Sequence, residues 1–398
     1  MRDGKIGIGI LGLGGRGVYF GGAMPQYAEN CRVVCVCDPV PEKRDAALRV
    51  LGEDIRAYAD TQEFLRDPEL DAVIVTTPDR AHAECAVSVL RAKKHLYLEK
   101  PMAQTIEDCD RIIEAWKGSD TVFMVGLELR YCTLMQETKA LIEAGEIGRV
   151  ITGSVIDNVS VGGQYFYHNR CRHRDFIHSL VLQKGTHSLD LANWLVDSTP
   201  RRVFASAGLD VFGGSESPEK RCRDCGRRES CPYFMDIGSF KMDYGQIIRG
   251  REDLCVYASD CDVPDNAQVL IDYASGARIT YLECHFTPEY TREFMFIGDR
   301  GKLEAFYNNE QDFRIKLWKR HEAEPRYIYP PKSDGGHGGG DSGIVRDFMA
   351  CIERGVPCMR GVRGARDSAA IAIAAEESER TGLPVLIPEV EYPAGVEV

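Results

Sequence analysis

Hydrophobic and polar positions in the first third of the chain alternate between short apolar runs and amphipathic stretches. The apolar runs are Ile6 to Leu11, Val33 to Cys37, Ala72 to Val75, His95 to Leu98 and Val122 to Val125. Stretches of helical length separate them, among them Ala81 to Ala92 and Ile106 to Trp116. Apolar strands that alternate with helices are typical of a doubly wound parallel sheet. We therefore predict an α/β domain over residues 1–128.

Beyond residue 128 the pattern changes to longer β runs. These are Val150 to Val161, Val203 to Val211, Ala267 to Tyr273, Ala277 to Phe286, Phe294 to Ile297, Lys302 to Phe306 and Phe313 to Trp318. Turns at Ser275-Gly276 and Asp299-Arg300-Gly301 predict hairpins and hence antiparallel pairing. Helices predicted near 181–196, 341–354 and 365–380 would cover one face. Residues 129–398 thus form an α+β domain with a large, mostly antiparallel open sheet, whose other face is free for self-association.

Composition narrows the class of protein. A chain of 398 residues suggests two cores, and a net charge of −12 disfavours binding to nucleic acid. The first strand starts too early to leave room for a signal peptide, and the apolar run Ala369 to Ala375 is too short to span a bilayer. Most of the 15 cysteines lie in apolar segments, which predicts reduced thiols. We expect a cytoplasmic protein without a membrane partner.

A glycine motif follows the first strand and opens a helix: Gly12-Leu13-Gly14-Gly15-Arg16-Gly17. Its first glycine allows a sharp turn, the second a close approach to a pyrophosphate, and the third tight helix packing. Asp38 ends the second strand at about the spacing expected of the acid that binds an adenosine ribose. The segment predicts a Rossmann domain that binds NAD, because the carboxylate would repel the ribose phosphate of NADP. Arg44 lies close enough in sequence to leave NADP open.

Three further motifs follow in order: Thr76-Thr77-Pro78, Glu99-Lys100-Pro101 and Gly185-Thr186-His187-Ser188-Leu189-Asp190. Together with the glycine motif they resemble the Gfo/Idh/MocA oxidoreductases, which are sugar and polyol dehydrogenases. The resemblance covers nearly the whole chain. It implies a nucleotide-binding domain followed by a domain whose open sheet often forms an oligomer interface, so we expect a homo-oligomer, a dimer or a tetramer.

The ends of the parallel strands supply the remaining predicted cofactor contacts. Ligands of such sheets bind at the carboxyl ends of the strands. Partly from this rule and partly from the resemblance, the predicted lining of the cofactor pocket consists of Thr76, Thr77, Pro78, His82, Glu99 and Lys100.

The predicted catalytic residues are His187, Lys100 and Lys184. The resemblance places the catalytic histidine at His187, where a neutral imidazole can accept the hydroxyl proton as hydride leaves. Lys100 ends a parallel strand, so its ammonium can reach a substrate hydroxyl. Lys184 shares a helix face with His187, and a positive charge on either lysine disfavours protonation of the imidazole.

The predicted substrate site departs from the polyol dehydrogenases of the family, which carry an aspartate four residues before the histidine. This chain has Gln183, which cannot be a base but can bind a sugar hydroxyl. Arg130 and Tyr131 follow the last strand of the first domain, although Tyr131 is as easily a core residue. The stretch Gln164 to Arg170 is either an aromatic sugar site or an exposed loop. The full predicted set is Arg130, Tyr131, Tyr167, His168, Gln183 and His187.

A cysteine-containing insertion at about 213–250 has the pattern Cys222-x2-Cys225-x5-Cys231. Zinc requires four ligands, so a fourth would have to come from Cys255, Cys261 or a distant histidine. We favour free thiols or an oxidation product and expect no metal. Gly335 to Gly340 is interpreted either as a loop at the mouth of the site, with His337 able to touch substrate, or as a plain flexible connection; Asp341 is predicted to cap the next helix.

These observations leave three hypotheses. The first is an NAD-dependent oxidoreductase acting on a sugar, polyol or glycoside. The second is an enzyme that cleaves glycosides through oxidation, elimination and reduction, with bound NAD recycled. The third is a sensor that binds NAD and sugar without catalysis, against which the presence of both Lys100 and His187 argues.

Overall fold

The computed structural model describes residues 4–236, 252–308, 312–332, 335–390 and 392. The first domain is a parallel sheet, as predicted. Its strands are β1 (Ile6–Leu11), β2 (Cys31–Cys37), β3 (Arg56–Tyr58), β4 (Ala72–Val75), β5 (His95–Leu98) and β6 (Val122–Val125). They follow the spatial order β6-β5-β4-β1-β2-β3. The reversal of strand order beside β1 creates the crevice in which ligands of such sheets bind.

The second domain is a larger, mostly antiparallel sheet. Its strands are β7 (Val150–Asn158), β8 (Pro200–Gly208), β9 (Asn266–Tyr273), β10 (Arg278–Cys284), β11 (Thr291–Gly298), β12 (Gly301–Asn308), β13 (Arg314–Lys319) and β14 (Arg326–Ile328). Both predicted hairpins, β9–β10 and β11–β12, pair antiparallel, whereas β7 and β10 pair parallel. Fold class and sheet character therefore agree with the prediction.

Helices cover both faces of the first sheet and one face of the second. Their bounds are α1 (Gly15–Tyr27), α2 (Pro41–Leu51), α3 (Thr61–Leu65), α4 (His82–Arg91), α5 (Ile106–Trp116), α6 (Thr133–Glu143), α7 (Arg174–Ile177), α8 (Thr186–Val196), α9 (Gly340–Arg354) and α10 (Val362–Thr381). Thr105 caps α5 by accepting the Asp108 N–H, as its position predicts. The predicted helix at 181–196 is divided, because a π-helical turn at Val181–Gly185 precedes α8. In the described part of the chain, none of the helices combines the length and the apolar character that a membrane crossing requires.

The two domains are not separated by a single boundary at residue 128. After the second sheet, α9 packs against α1 and β6, and β15 (Cys358–Arg360) pairs parallel with β6. A last strand, β16 (Val385–Leu386), then extends the second sheet beside β8. The first domain is thus completed by residues 340–360, which the sequence had suggested belong to the second.

The second sheet is buried on one face and open on the other. Val203 and Ile271 point inward and are buried in the same apolar core as residues of α8 and α10, while their neighbours alternate outward. The outward set includes large apolar side chains on several strands: Phe204, Leu270, Ile297 and Trp318. An exposed apolar face of this kind is typical of an interaction surface.

Candidate active site

The glycine motif forms a cradle suited to a dinucleotide. Gly12 has φ +96°, and a Cβ there would stand 2.6 Å from the Thr77 nitrogen. A Cβ on Gly17 would stand 2.1 Å from the Gly12 carbonyl oxygen, so both positions exclude side chains. At Gly14, by contrast, no described atom lies within 4 Å of the Cβ position, and no described side chain caps the start of α1. Free N–H groups beside open space are what a pyrophosphate requires.

Asp38 lies beside this cradle, where the sequence places it. Its Oδ2 accepts the Leu13 N–H at 2.9 Å and its Oδ1 accepts the Val40 N–H at 3.0 Å. Arg44 donates to the Asp38 carbonyl oxygen at 2.7 Å, so a guanidinium also stands near the expected ribose position. The carboxylate favours NAD, and the nearby Arg44 keeps the NADP alternative open.

Two predicted cofactor residues hold the strand ends together. The Thr76 hydroxyl donates to the Gly12 carbonyl at 2.6 Å and fixes the glycine turn. The ring nitrogens of His82 lie 2.7 Å from the Pro101 carbonyl oxygen and 2.9 Å from that of Thr77. Because both nitrogens of His82 are engaged by the backbone, the residue supports the pocket wall instead of offering a free polar atom.

Lys100 joins the two domains at the carboxyl edge of the first sheet. Its Nζ donates to the Gln183 carbonyl oxygen at 2.5 Å, which brings the lysine beside the turn that precedes His187. Burial lowers the pKa of Lys100 below its ordinary value, although the carboxylates of Asp79 and Glu99 oppose the shift. The carboxylate of Glu99 is in turn held by Arg16 at 2.7 Å.

His187 and Glu128 form a buried pair that the sequence does not reveal. Glu128 lies in a 3-10 turn after β6, at residues 128–131, and its Oε1 stands 2.7 Å from Nε2 of His187. A carboxylate at this distance selects the tautomer with hydrogen on Nε2. Nδ1 then carries the lone pair, and it has no hydrogen-bond partner among the described residues although it is buried.

The electrostatics of the site keep His187 neutral. Burial lowers its pKa well below the ordinary value, and the positive side chains of Lys100 and Arg292 lower it further. A neutral imidazole with a free Nδ1 at neutral pH is the state that a general base requires.

His337 lies next to His187 with the opposite tendency. The two ring centroids are 5.7 Å apart. Burial alone would lower the pKa of His337, but the carboxylates of Glu128 and Asp341 outweigh it and raise the pKa above its ordinary value. The site therefore combines a neutral histidine with one that tends to be protonated.

The prediction that Asp341 caps the following helix is wrong. Gly339 occupies the cap position of α9, and Asp341 lies within the first turn with its side chain buried. Its carboxylate accepts from Arg16 at 2.6 Å and lies 3.2 Å from Nδ1 of His337. A distant arginine and the neighbouring His337 therefore hold the carboxylate away from the helix cap.

Glu128, His187 and His337 could also serve as metal ligands. One atom of each lies within 4.8 Å of the others. However, the positive charges that lower the pKa of His187 would repel a divalent cation at the same point. We therefore interpret the trio as a proton-handling group.

Lys184, Tyr290 and Arg292 form a second polar group in the site. The Nζ of Lys184 lies 5.6 Å from the Tyr290 ring centroid and has no hydrogen-bond partner among the described residues. Although burial opposes it, Arg292 and Lys184 lower the pKa of Tyr290 to about 7. Tyr290 carries no sequence motif, and only its packing against two buried cations marks it as a candidate functional residue.

Four of the predicted substrate residues have structural partners. Arg130 forms two hydrogen bonds with Asp190, at 2.8 and 2.6 Å, and Tyr131 donates to Asp347 at 2.6 Å. Tyr167 is fully buried and donates to the Val263 carbonyl, and the ring nitrogens of His168 lie near the carbonyls of Leu254 and Tyr233. These contacts stabilise the domain junction and the second domain. Gln183 remains half-buried beside Lys100, so its substrate role stays a prediction.

The fold and the glycine cradle define a Rossmann protein, and the match to known families gives its class as an NAD-binding oxidoreductase. The sequence profile described as "Oxidoreductase family, NAD-binding Rossmann fold" matches residues 6–127, and that of the GFO/IDH/MocA C-terminal domain matches residues 135–304. The chain belongs to the Gfo/Idh/MocA family.

Relatives place the chain within a varied group. YteT of Bacillus subtilis, named only as an oxidoreductase, is 28% identical over 318 residues, covering 72% of this chain and 74% of YteT. The myo-inositol 2-dehydrogenase of Thermotoga maritima is 27% identical over 51% of this chain and 59% of its own length. The chain thus spans little more than half of that dehydrogenase. A levoglucosan dehydrogenase solved with NADH and levoglucosan shares the fold, with a TM-score of 0.75 and 20% identity over 97% of this chain and all of that one.

Proposed function

We propose that the protein is an NAD-dependent dehydrogenase that transfers hydride between a carbohydrate hydroxyl carbon and nicotinamide. One observation carries the proposal: the buried His187 is held at Nε2 by Glu128, while Nδ1 is left free beside Lys100 at the carboxyl edge of the Rossmann sheet. A protein that only senses NAD and sugar has no need of an oriented, neutral base in this place.

Each residue of the site has a separate task in this proposal. NAD, when bound, supplies the hydride acceptor. Nδ1 of His187 takes the proton of the hydroxyl that is being oxidised. Glu128 keeps the imidazole in the required tautomer, as an orienting carboxylate does in a catalytic triad. The Lys100 ammonium stabilises negative charge that develops on the hydroxyl oxygen.

A carbohydrate is proposed because a polar substrate suits the groups around His187. The side chains of Gln183, Lys184 and Tyr290 offer donors and acceptors for several hydroxyl groups. The named relatives include an inositol dehydrogenase and a levoglucosan dehydrogenase.

The test is a panel of sugars, polyols and glycosides assayed for NADH formation. We expect at least one to be oxidised, with the activity lost in His187→Ala. The His321→Ala variant, which changes an exposed histidine in the turn after β13, is the matched control for chemistry. No NADH with any member of the panel, although NAD binds, would contradict the proposal.

A second candidate function is glycoside cleavage with recycled NAD. It is favoured by the pairing of a neutral His187 with His337, whose pKa is raised, because elimination needs an acid for the leaving group as well as a base. Release of aglycone from a glycoside without net NADH would support it. His337→Gln should then slow cleavage of glycosides with poor leaving groups more than that of activated ones.

We also propose that the open face of the second sheet joins copies of this chain. Its outward apolar side chains, including Phe204 and Leu270 on neighbouring strands, suit a symmetric interface. Light scattering of the purified protein should give a dimer or a tetramer, and Phe204→Glu should shift it towards the monomer. A monomer at all concentrations would contradict this proposal.

A further inference from the structure

A cavity of about 380 Å³ lies in the insertion between β8 and β9, away from the His187 site. Four cysteines line it: Cys222, Cys225, Cys231 and Cys255. Part of the insertion, residues 237–251, lies outside the described residues, but all four cysteines are described. The fourth thiol that the sequence spacing could not supply is therefore provided by the return of the chain.

Backbone pairing brings these cysteines together. Arg221 and Leu254 form an antiparallel bridge, and the hydrogen bonds beside it join Cys222 to Asp253 at 2.7 Å and Cys255 to Lys220 at 2.8 Å. The chain then turns, with the Cys225 N–H donating to the Cys222 carbonyl at 3.1 Å. Cys222 and Cys225 thus come from one short turn, Cys255 comes from the paired segment, and Cys231 lines another part of the cavity.

The four thiols differ in exposure, and cationic side chains line the cavity beside them. Cys222 and Cys255 are buried, while Cys225 and Cys231 are partly exposed, so the cavity can be reached from outside. The cavity lining also includes the cationic residues Lys220, Arg221 and Arg227. Glu216 holds two of them, Lys220 and Arg227, in place. A thiolate metal centre carries net negative charge, which these cations would offset in part, since Glu216 already pairs with Lys220 and Arg227 and Glu252 with Arg221.

We propose that the four cysteines bind an iron–sulfur cluster. A single zinc with Zn–S bonds of about 2.3 Å would hold the sulfurs roughly 3.8 Å apart. Among the described residues, no three of the four sulfurs lie within 4.8 Å of one another, and a cavity separates them. The cysteines of a four-iron cluster stand farther apart, because each binds a different iron.

The position of the cluster indicates a structural task. His168 lies in the cavity wall, with Nδ1 3.9 Å from the Cys222 sulfur and 2.6 Å from the Leu254 carbonyl. The rings of Tyr167 and Phe212 are 4.3 Å apart, and that of Tyr233 packs on Phe212 at 4.9 Å. The cluster would therefore fix the insertion against the turn at Gly163–Tyr167. Any effect of that turn on substrate rests on the function proposed above, whereas binding of the cluster does not.

The test uses the full chain, produced with added iron and purified without oxygen. We expect about four iron and four sulfide ions per chain, with a broad visible absorption band that is bleached by reduction. Cys225→Ser and Cys231→Ser, which change the two more exposed ligands, should lose most of the iron. Cys284→Ser, a half-buried thiol on β10 outside the cavity lining, is the matched control and should keep it.

Binding of NAD reports whether the first domain is folded, and the circular-dichroism spectrum reports the secondary structure of the whole chain. Loss of iron with both unchanged would identify the cysteines as ligands and exclude general unfolding. Stoichiometric zinc without iron in the unaltered protein would overturn the proposal. A metal-free protein, or disulfides among the four cysteines after anaerobic purification, would overturn it equally.

Discussion

The cofactor cradle and the acid–base group lie close together but are built differently. The cradle uses one continuous stretch, residues 12–38, whose glycines and carboxylate act through local geometry. The acid–base group draws Lys100, Glu128, His187 and His337 from four separate segments. A dinucleotide site can thus be recognised in a short piece of sequence, whereas the state of a catalytic histidine depends on which distant side chains pack beside it. Arg16 is the exception, because it lies in the glycine motif and pairs with Glu99 and Asp341; other changes in one region should leave the second intact.

The largest effect is expected for His187→Ala. Removal of the general base should lower kcat by roughly 10²- to 10⁴-fold, while NAD affinity stays nearly unchanged because the cradle is untouched. Steady-state kinetics and a fluorescence titration with NAD measure the two quantities. Turnover close to normal would refute the mechanism and direct attention to His337.

Glu128→Gln should have the next largest effect. The amide no longer selects the tautomer with hydrogen on Nε2, so we expect kcat to fall between about tenfold and the roughly 10⁴-fold that loss of an orienting carboxylate can cause. The double variant with His187→Ala separates positioning from folding. If Glu128 acts through His187, the double variant should be no slower than His187→Ala alone. Multiplied losses would show independent roles.

Lys100→Met should change both rate and pH dependence. The positive lysine disfavours the imidazolium, so its removal raises the pKa of His187 towards the ordinary value. The base is then lost at a higher pH as the solution is acidified. The acidic limb of the kcat/KM profile should move upward by up to about one pH unit, with a lower kcat. Lys100→Arg keeps the charge and should leave the limb in place. If the limb is the same in Lys100→Met, the lysine does not set the charge of His187.

Cofactor preference depends on the cofactor cradle and not on the acid–base group. NAD should bind at least about tenfold more tightly than NADP, a difference of about 1.4 kcal/mol, because Asp38 would face the additional phosphate. Asp38→Ser should narrow the ratio, and Arg44→Ala should widen it. Titration of both cofactors by fluorescence decides the matter, and equal affinities in the unaltered protein would make Arg44 the partner of a phosphate.

The smallest effect on activity is expected for Tyr131→Phe. The hydroxyl donates to Asp347, so its loss should reduce the free energy of unfolding by about 1 kcal/mol and leave kcat unchanged. Urea unfolding and steady-state kinetics provide the two measurements. A large fall in kcat with normal stability would return Tyr131 to the substrate site.

The sequence reveals those parts of the site that depend on neighbours along the chain. Gly12, Gly17 and Asp38 follow from a local motif, and Lys100 from its place after a strand. Glu128 could not be found in this way, because nothing near it in sequence indicates a histidine 59 residues later. Asp341 looked like a helix cap, yet it is held by Arg16 across 325 residues.

The polarity of a side chain does not show whether its polar atoms are already engaged by packing inside the domain. The hydroxyl of Tyr167 and the ring of His168 suggested a sugar site, but both bind backbone carbonyls inside the second domain. Residues 358–360 are too few to show a strand pattern, so the last strand of the first sheet could be found only from the structure.

Because residues 340–360 return to the first sheet, the cofactor domain cannot be isolated as the continuous segment 1–128. A fragment that ends at residue 128 would expose the edge of β6, which invites aggregation. It would also leave Arg16 without Asp341. A chimaera that exchanges cofactor domains between relatives would therefore have to carry this late segment with the early one, so the two pieces should be inherited as a single unit.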